Sequence, residues 1–198
     1  MKTPYPHYDV LAKWASPSFD DTTRAVLTQR LVAIPTRRFF TEAEWTLLEA
    51  IVARVLPQAD RAEPIPITPW IDDALARGRS EGFRHDNMPT MPVAWRRGLA
   101  AIDAEARRLH GKDFIALDDA ARDAVLTAIE HDEVDAALWQ GLPAQRFFID
   151  ILVKTAAGVY YAHPAAWSEI GFGGPASPRG YVRLGADARD AWEAKEER

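Results

Sequence analysis

The sequence predicts an all-α protein, a small bundle of about five to seven helices with extended aromatic- and Pro/Gly-rich arms at both ends. Three observations predict it. Apolar residues recur at steps of three and four, no stretch alternates apolar and polar residues as a half-buried strand would, and helix start and stop signals punctuate the chain. Residues 1–19 read as an extended N-terminal arm, with Pro4, Pro6 and Pro17 among the aromatics Tyr5, Tyr8, Trp14 and Phe19. Asp20 or Asp21 then caps a helix to about Ala33, with Leu27, Leu31 and Ile34 forming its stripe before Pro35 ends it.

The second helix has the clearest start. Thr41 with Glu44 three residues on makes a capping box, and Phe40 before the cap is placed to staple onto Trp45. Trp45, Leu48, Val52 and Val55 form the expected inner stripe up to Pro57. Pro64, Pro66 and Pro69 stiffen the connection to a short helix from about Trp70 to Gly78, and Gly82 to Pro92 reads as loop. A helix from about Val93 to His110 carries Trp95, Leu99, Ile102, Ala106 and Leu109 as one narrow seam, with Gly111 as its C-cap. Asp118 caps the next helix, whose inner face holds Val125, Leu126 and Ile129. Pro143 opens a helix through about Tyr160, with Phe148, Ile151, Leu152, Thr155 and Val159 inward. These elements make a helical domain over residues 20–161, followed by an arm and tail over 162–198 that holds a short helical turn around Trp167.

Composition narrows the chemistry. The 198 residues contain 24 basic and 29 acidic side chains, a formal net charge of −5, with the two signs interspersed and no basic face visible. That pattern argues against nucleic acid as a partner. Cysteine is absent, which removes disulfides, thiolate metal sites and covalent haem attachment. No apolar run approaches the roughly 20 residues needed to span a bilayer. The first residues lack the apolar core of a secretory signal, and Arg37-Arg38-Phe39-Phe40 lies well inside the chain with no such core after it. The expected location is therefore cytoplasmic as synthesised, or periplasmic if a signal-bearing partner carries the chain across.

Catalytic motifs are missing. His7, His85, His110, His131 and His163 form no dense ligand set, and the pairs His85-Asp86 and His131-Asp132-Glu133 read as solvated polar residues. Asp72-Asp73 and Asp118-Asp119 read as helix-start residues that favour the dipole. No nucleophile elbow or Walker motif is present. The glycines at 171, 173 and 174 lack the dinucleotide-binding spacing and follow no strand. No catalytic, cofactor-binding or metal-binding residue is assigned, and no cofactor is expected in this chain.

The C-terminal aromatic segment has two readings. It folds back to cover the helical core, with Tyr160, Trp167 and Phe172 as pegs, or it docks on a partner, where Tyr and Trp serve as anchors. Two further possibilities stand beside these, a small metal-assisted enzyme using His85, His131 or His163 and a self-associating protein that swaps its arms.

Gly158-Val159-Tyr160-Tyr161-Ala162-His163-Pro164, then Glu169-Ile170-Gly171-Phe172-Gly173-Gly174-Pro175 and Arg179-Gly180-Tyr181, resembles the C-terminal signature of the gluconate 2-dehydrogenase subunit 3 family. Phe39 to Trp45, the stop Arg54-Val55-Leu56-Pro57 and the stretch from Gly98-Leu99 to Phe114 are similar to that family's upstream regions, so the resemblance covers roughly residues 39–181. It implies a non-catalytic small subunit. Its partner would be a large FAD-dependent dehydrogenase of the glucose–methanol–choline type acting on sugars or glucosides, often completed by a cytochrome c electron acceptor. Many members carry a twin-arginine export signal, and this chain departs from that pattern. The partner-binding residues expected on the two arms are Tyr5, Tyr8, Trp14, Tyr160, Tyr161, His163, Pro164, Trp167, Phe172, Gly174, Pro175 and Tyr181.

Overall fold

A computed structural model describes residues 3–79, 86–175, 185, 188 and 193–196. It is helical, with no strand among the described residues. The chain divides into two compact units, one built from Met1–Ile34 with Val159–Arg198 and the other from Pro35–Gly158. The expected divisions at 19/20 and 161/162 differ from these units. The first helix joins the terminal segments instead of the central bundle.

In the first unit, Val10–Lys13 form a 3₁₀ turn capped by the Asp9 carboxylate, inside the stretch expected to be extended. Helix α1, Asp21–Val32, starts at Asp20, whose side chain accepts from the Thr23 N–H at 2.7 Å. Only Leu27 of its expected stripe is fully buried. Ala33 leaves the helical conformation, so Ile34 is no longer on the helix and stands 51 % exposed.

The second unit holds the larger core. Helix α2, Glu42–Val55, begins with the expected capping box, Glu44 N–H to Thr41 Oγ1 at 3.2 Å and Thr41 N–H to the Glu44 carboxylate at 2.8 Å. Its buried face is Leu47, Leu48, Ile51 and Val52, turned away from the expected Trp45 and Val55. Phe40 reaches inward, with its ring centroid 6.1 Å from that of Trp95. Helix α3, Ile67–Ala76, starts three residues before the expected Trp70, because Pro69 falls in the first turn, where no N–H is needed.

Helix α4, Met91–His110, is the spine of this unit and ends at Gly111. Its buried face is broader than one seam. It includes Ala94, Gly98, Ala101 and Glu105 beside the expected Trp95, Leu99, Ile102 and Ala106, while the last turn with Leu109 projects clear of the core. A 3₁₀ turn at Phe114–Ala116 leads to α5, Asp119–Glu130, with Val125, Leu126 and Ile129 buried as expected.

The next helical run, α6, is α-helical at Ala144–Arg146, π-helical over Phe147–Val153 and α-helical again over Lys154–Tyr161. Its last residues, from Val159, belong to the first unit. The π stretch bonds i to i+5, so it widens the helix and turns the following residues around the axis. Ala156 therefore takes the buried place expected for Thr155. Finally α7, Pro164–Glu169, lies in the first unit.

Gly98 and Phe147 show how closely α4 meets α6. A Cβ on Gly98 would lie 2.1 Å from the Phe147 ring, which is itself fully buried between Trp95 and Trp139. The ring has nowhere to retreat. Alanine at this position gains about 1 kcal/mol of helix propensity but overpacks the core at a cost of about 3 kcal/mol. Gly98→Ala is therefore expected to lower stability by about 2 kcal/mol in chemical denaturation. Adding Phe147→Leu should recover part of that loss, and two additive losses would sink the explanation.

Candidate partner-binding surface

The first unit joins the two segments that carry the expected partner-binding residues. Thr3 Oγ1 donates to the Glu169 carbonyl, the Val10 N–H donates to Ser168 Oγ at 3.1 Å, and the Lys13 ammonium donates to the Gly173 carbonyl. Lys13 also lies 5.2 Å from the centre of the Phe19 ring. Arg30 on α1 reaches the Ala162 carbonyl at 2.9 Å. These bonds hold a small apolar cluster of Val10, Phe19, Leu27 and Trp167, against which Tyr8, Leu11 and Trp14 pack partly buried. The Trp167 indole N–H is satisfied by the Tyr161 carbonyl, as a buried indole requires.

Local sequence explains this geometry. His163 caps α7 by accepting from the Ala165 N–H at 3.2 Å, and Pro164 at the first helical position costs no hydrogen bond. Gly171 follows with φ of +68°, and a Cβ there would lie 2.6 Å from the Tyr5 ring. Glycine is thus required twice over, for the turn and for the aromatic ring packed on it. Tyr160 Oη donates to the Glu169 carboxylate at 2.8 Å, which ties the end of α6 to the end of α7.

The two readings of the aromatic segment divide between its residues. Trp167, Pro164 and Gly174 are buried, whereas Tyr161, Phe172 and Pro175 are exposed. Tyr5, Tyr8, Trp14, Tyr160 and His163 are half-buried. Phe172 stands edge-on to Trp167 at 5.5 Å, so one side of its ring rests on the cluster. Tyr181 lies outside the described residues, as does His85. Sequence reasoning missed several exposed apolar side chains on this unit. Val32 is 74 % exposed, and Val26, Ile34 and Ile170 are each more than two-fifths exposed. Val32 lies off the i, i+4, i+7 stripe, which was the available signal.

The second unit holds its 36–40 segment by buried acids that were read as helix-start residues. Asp72 and Asp73 instead lie in the second half of α3. Asp72 is fully buried, and its carboxylate accepts the N–H groups of Arg38 at 2.6 Å, Phe39 at 3.0 Å and Phe40 at 2.8 Å. Asp73 binds the guanidinium groups of Arg38 and Arg77. Burial pushes the Asp73 carboxyl up, but the hydrogen bonds and charges of Arg77 and Arg38 outweigh it and hold the group below the ordinary range. Glu44 behaves alike, since burial is outweighed by the Thr41 hydrogen bonds and by Arg96. Glu105, also buried, accepts from the Asp135 N–H at 2.8 Å and the Trp139 indole at 3.1 Å and pairs with Arg108.

His131 closes α5, with Nδ1 2.8 Å from the Thr127 carbonyl. Among the described residues no group of three His, Asp or Glu is placed to hold a metal ion, and no helix is long and apolar enough to cross a membrane.

A family model described as gluconate 2-dehydrogenase subunit 3 matches residues 42–174, more than half of the chain. The match runs from the start of α2 to the buried glycine beyond α7, so it takes in the aromatic segment as well as the helical core. No curated protein and no solved structure matches the chain.

Proposed function

Because the chain belongs to the gluconate 2-dehydrogenase subunit 3 family, we propose that it is the non-catalytic small subunit of a flavin-dependent sugar or glucoside dehydrogenase. It binds the large glucose–methanol–choline-type subunit, which holds the FAD, and supports that subunit's folding, maturation or export. A cytochrome c accepts the electrons. The observation that carries this reading is the extent of the family match, which covers the helical core and the aromatic turn together.

The exposed surface of the first unit supports a binding role. Tyr161, Ile170 and Phe172 are large, apolar and about half exposed, and they lie on a backbone fixed by the Trp167 cluster and the Gly171 turn. Anchors held in place this way lose little conformational freedom when a partner covers them. Each 100 Å² of apolar surface they bury on the flavoprotein contributes about 2.5 kcal/mol before the cost of association.

The test is to tag this chain in its own host, purify it gently and record the visible spectrum and subunit content. A flavin absorbance band with a stoichiometric large subunit is the expected result. A colourless, solitary chain from cells that also make the flavoprotein would overturn the proposal.

A further inference from the structure

The composition is acidic, with a formal charge of −5, yet the second unit gathers four arginines from three places in the sequence around residues 37–40. Arg37 donates to the Phe40 carbonyl at 3.1 Å. Arg38 and Arg77 share the Asp73 carboxylate. Arg96, from α4, donates to the Phe39 carbonyl at 2.9 Å and lies 4.5 Å from the centre of the Phe39 ring. The acids that balance these charges lie beneath them. The Asp73 side chain is 4 % exposed against 49 % for Arg38 and Arg77, and Asp72 is fully buried. Glu44 is likewise the more covered partner of Arg96. The guanidinium is therefore the more exposed half of each pair, and the Phe39 ring lies against that of Arg96.

We infer that this face docks the small subunit onto a carboxylate-bearing surface of its large dehydrogenase subunit; the inference rests on the accessory-subunit reading. Arg38 and Arg77 are fixed by the buried Asp73 carboxylate yet stay half exposed, and planar guanidinium forks match aspartate and glutamate in bidentate pairs. Arginine beside an aromatic ring is also the composition found at the energetic centre of protein interfaces. An extended polyanion fits less well. A membrane or nucleic acid would meet the field of a net acidic chain, whereas a local carboxylate pair meets only the basic face within a Debye length of about 8 Å.

The variant to test is Arg37→Glu, because Arg37 pairs with no buried acid and its loss strands no charge. Lys112→Glu makes the same charge change on an exposed residue just past the far end of α4, about 20 Å along the helix axis from Arg96. In complexes formed with the large subunit of the same host, Arg37→Glu is expected to weaken binding at least about tenfold and to flatten its salt dependence, with Lys112→Glu within about twofold of wild type. If Arg37→Glu loses helical content, Arg37→Gln decides, with a smaller loss in the same direction. Wild-type binding by the Arg37 variant, or an equal loss for Lys112→Glu, would overturn the docking face while leaving the complex standing. Absence of any wild-type complex would remove the accessory reading and this face with it. Sedimentation of the wild-type chain with phosphatidylserine vesicles, abolished by Arg37→Glu, would assign the face to a membrane and overturn the carboxylate partner.

Discussion

Asp72→Ala is expected to destabilise the second unit by about 4 kcal/mol, since buried donors that lose an acceptor cost about 1–3 kcal/mol each. Three backbone N–H groups, those of Arg38, Phe39 and Phe40, converge on this one carboxylate. Arg38 and Phe39 are near enough to solvent to recover water, but Phe40 is buried and recovers none. The effect also spreads into the core. The Phe40 ring packs on Trp95, which packs in turn on Phe147, so releasing the segment loosens an aromatic chain that continues to Trp139. Asp72→Asn should lose about half as much, because the amide keeps one accepting oxygen in place but brings an N–H₂ group into the site. Urea denaturation checks both. An alanine variant within about 1 kcal/mol of wild type would show that the nest of N–H groups contributes little.

Trp167→Ala is expected to cost about 4 kcal/mol in the first unit, the usual loss for a buried tryptophan cut to alanine. The cluster around it is small, so the lost contacts are a large share of what binds residues 3–19 to the C-terminal segment. Hydrogen exchange should rise sharply in the 3₁₀ turn at Val10–Lys13 and in α1, while α2 and α4 keep their protection. Phe172→Ala provides the contrast. That ring is half exposed, so its removal should leave the free chain nearly as stable and show its effect only in the complex. Equal destabilisation by both variants would place Phe172 in the core and remove it from the proposed binding surface.

The elements that depend on near neighbours were legible in the sequence. The Thr41 and Glu44 capping box, the Asp118 cap and the end of α4 at Gly111 are each decided within a few residues and appear where the sequence places them, and of the two acids offered for α1 it is Asp20 that caps. Inner faces were legible only in part. Leu47 and Ile51 join the core because α3, α4 and α5 all pack against α2, which no period within α2 reveals. The π stretch was invisible for a related reason. Phe147 to Val153 is apolar on nearly every side, so no polar face marks the extra residue in the turn.

The polar architecture was hardest to read. Asp72 and Asp73 are adjacent acids in a helix, a pattern consistent with solvated surface, and apart from Arg77 their partners lie more than thirty residues away at Arg38, Phe39 and Phe40. The basic face formed by Arg37, Arg38, Arg77 and Arg96 likewise exists only after folding, since no two of these except Arg37 and Arg38 are close in the chain. The aromatic segment was recognisable by its composition. Its division into a buried Trp167 and an exposed Phe172 depended on Val10, Phe19 and Leu27, all supplied from the opposite end of the sequence.

That last dependence has a consequence in time. Val10, Phe19 and Leu27 leave the ribosome long before Trp167 is made, and at about 5–20 residues per second the wait for the tryptophan is on the order of 7–30 s. The second unit waits less, since its earliest and latest residues, Pro35 and Gly158, are both made before Trp167. Throughout the wait the newborn chain carries an apolar N-terminal segment without the side chain that completes its cluster. In that period chaperones, proteases or a binding partner compete for the same side chains. Synthesis order thus leaves Val10, Phe19 and Leu27 uncovered for longer than any residue of the second unit must wait for its own contacts.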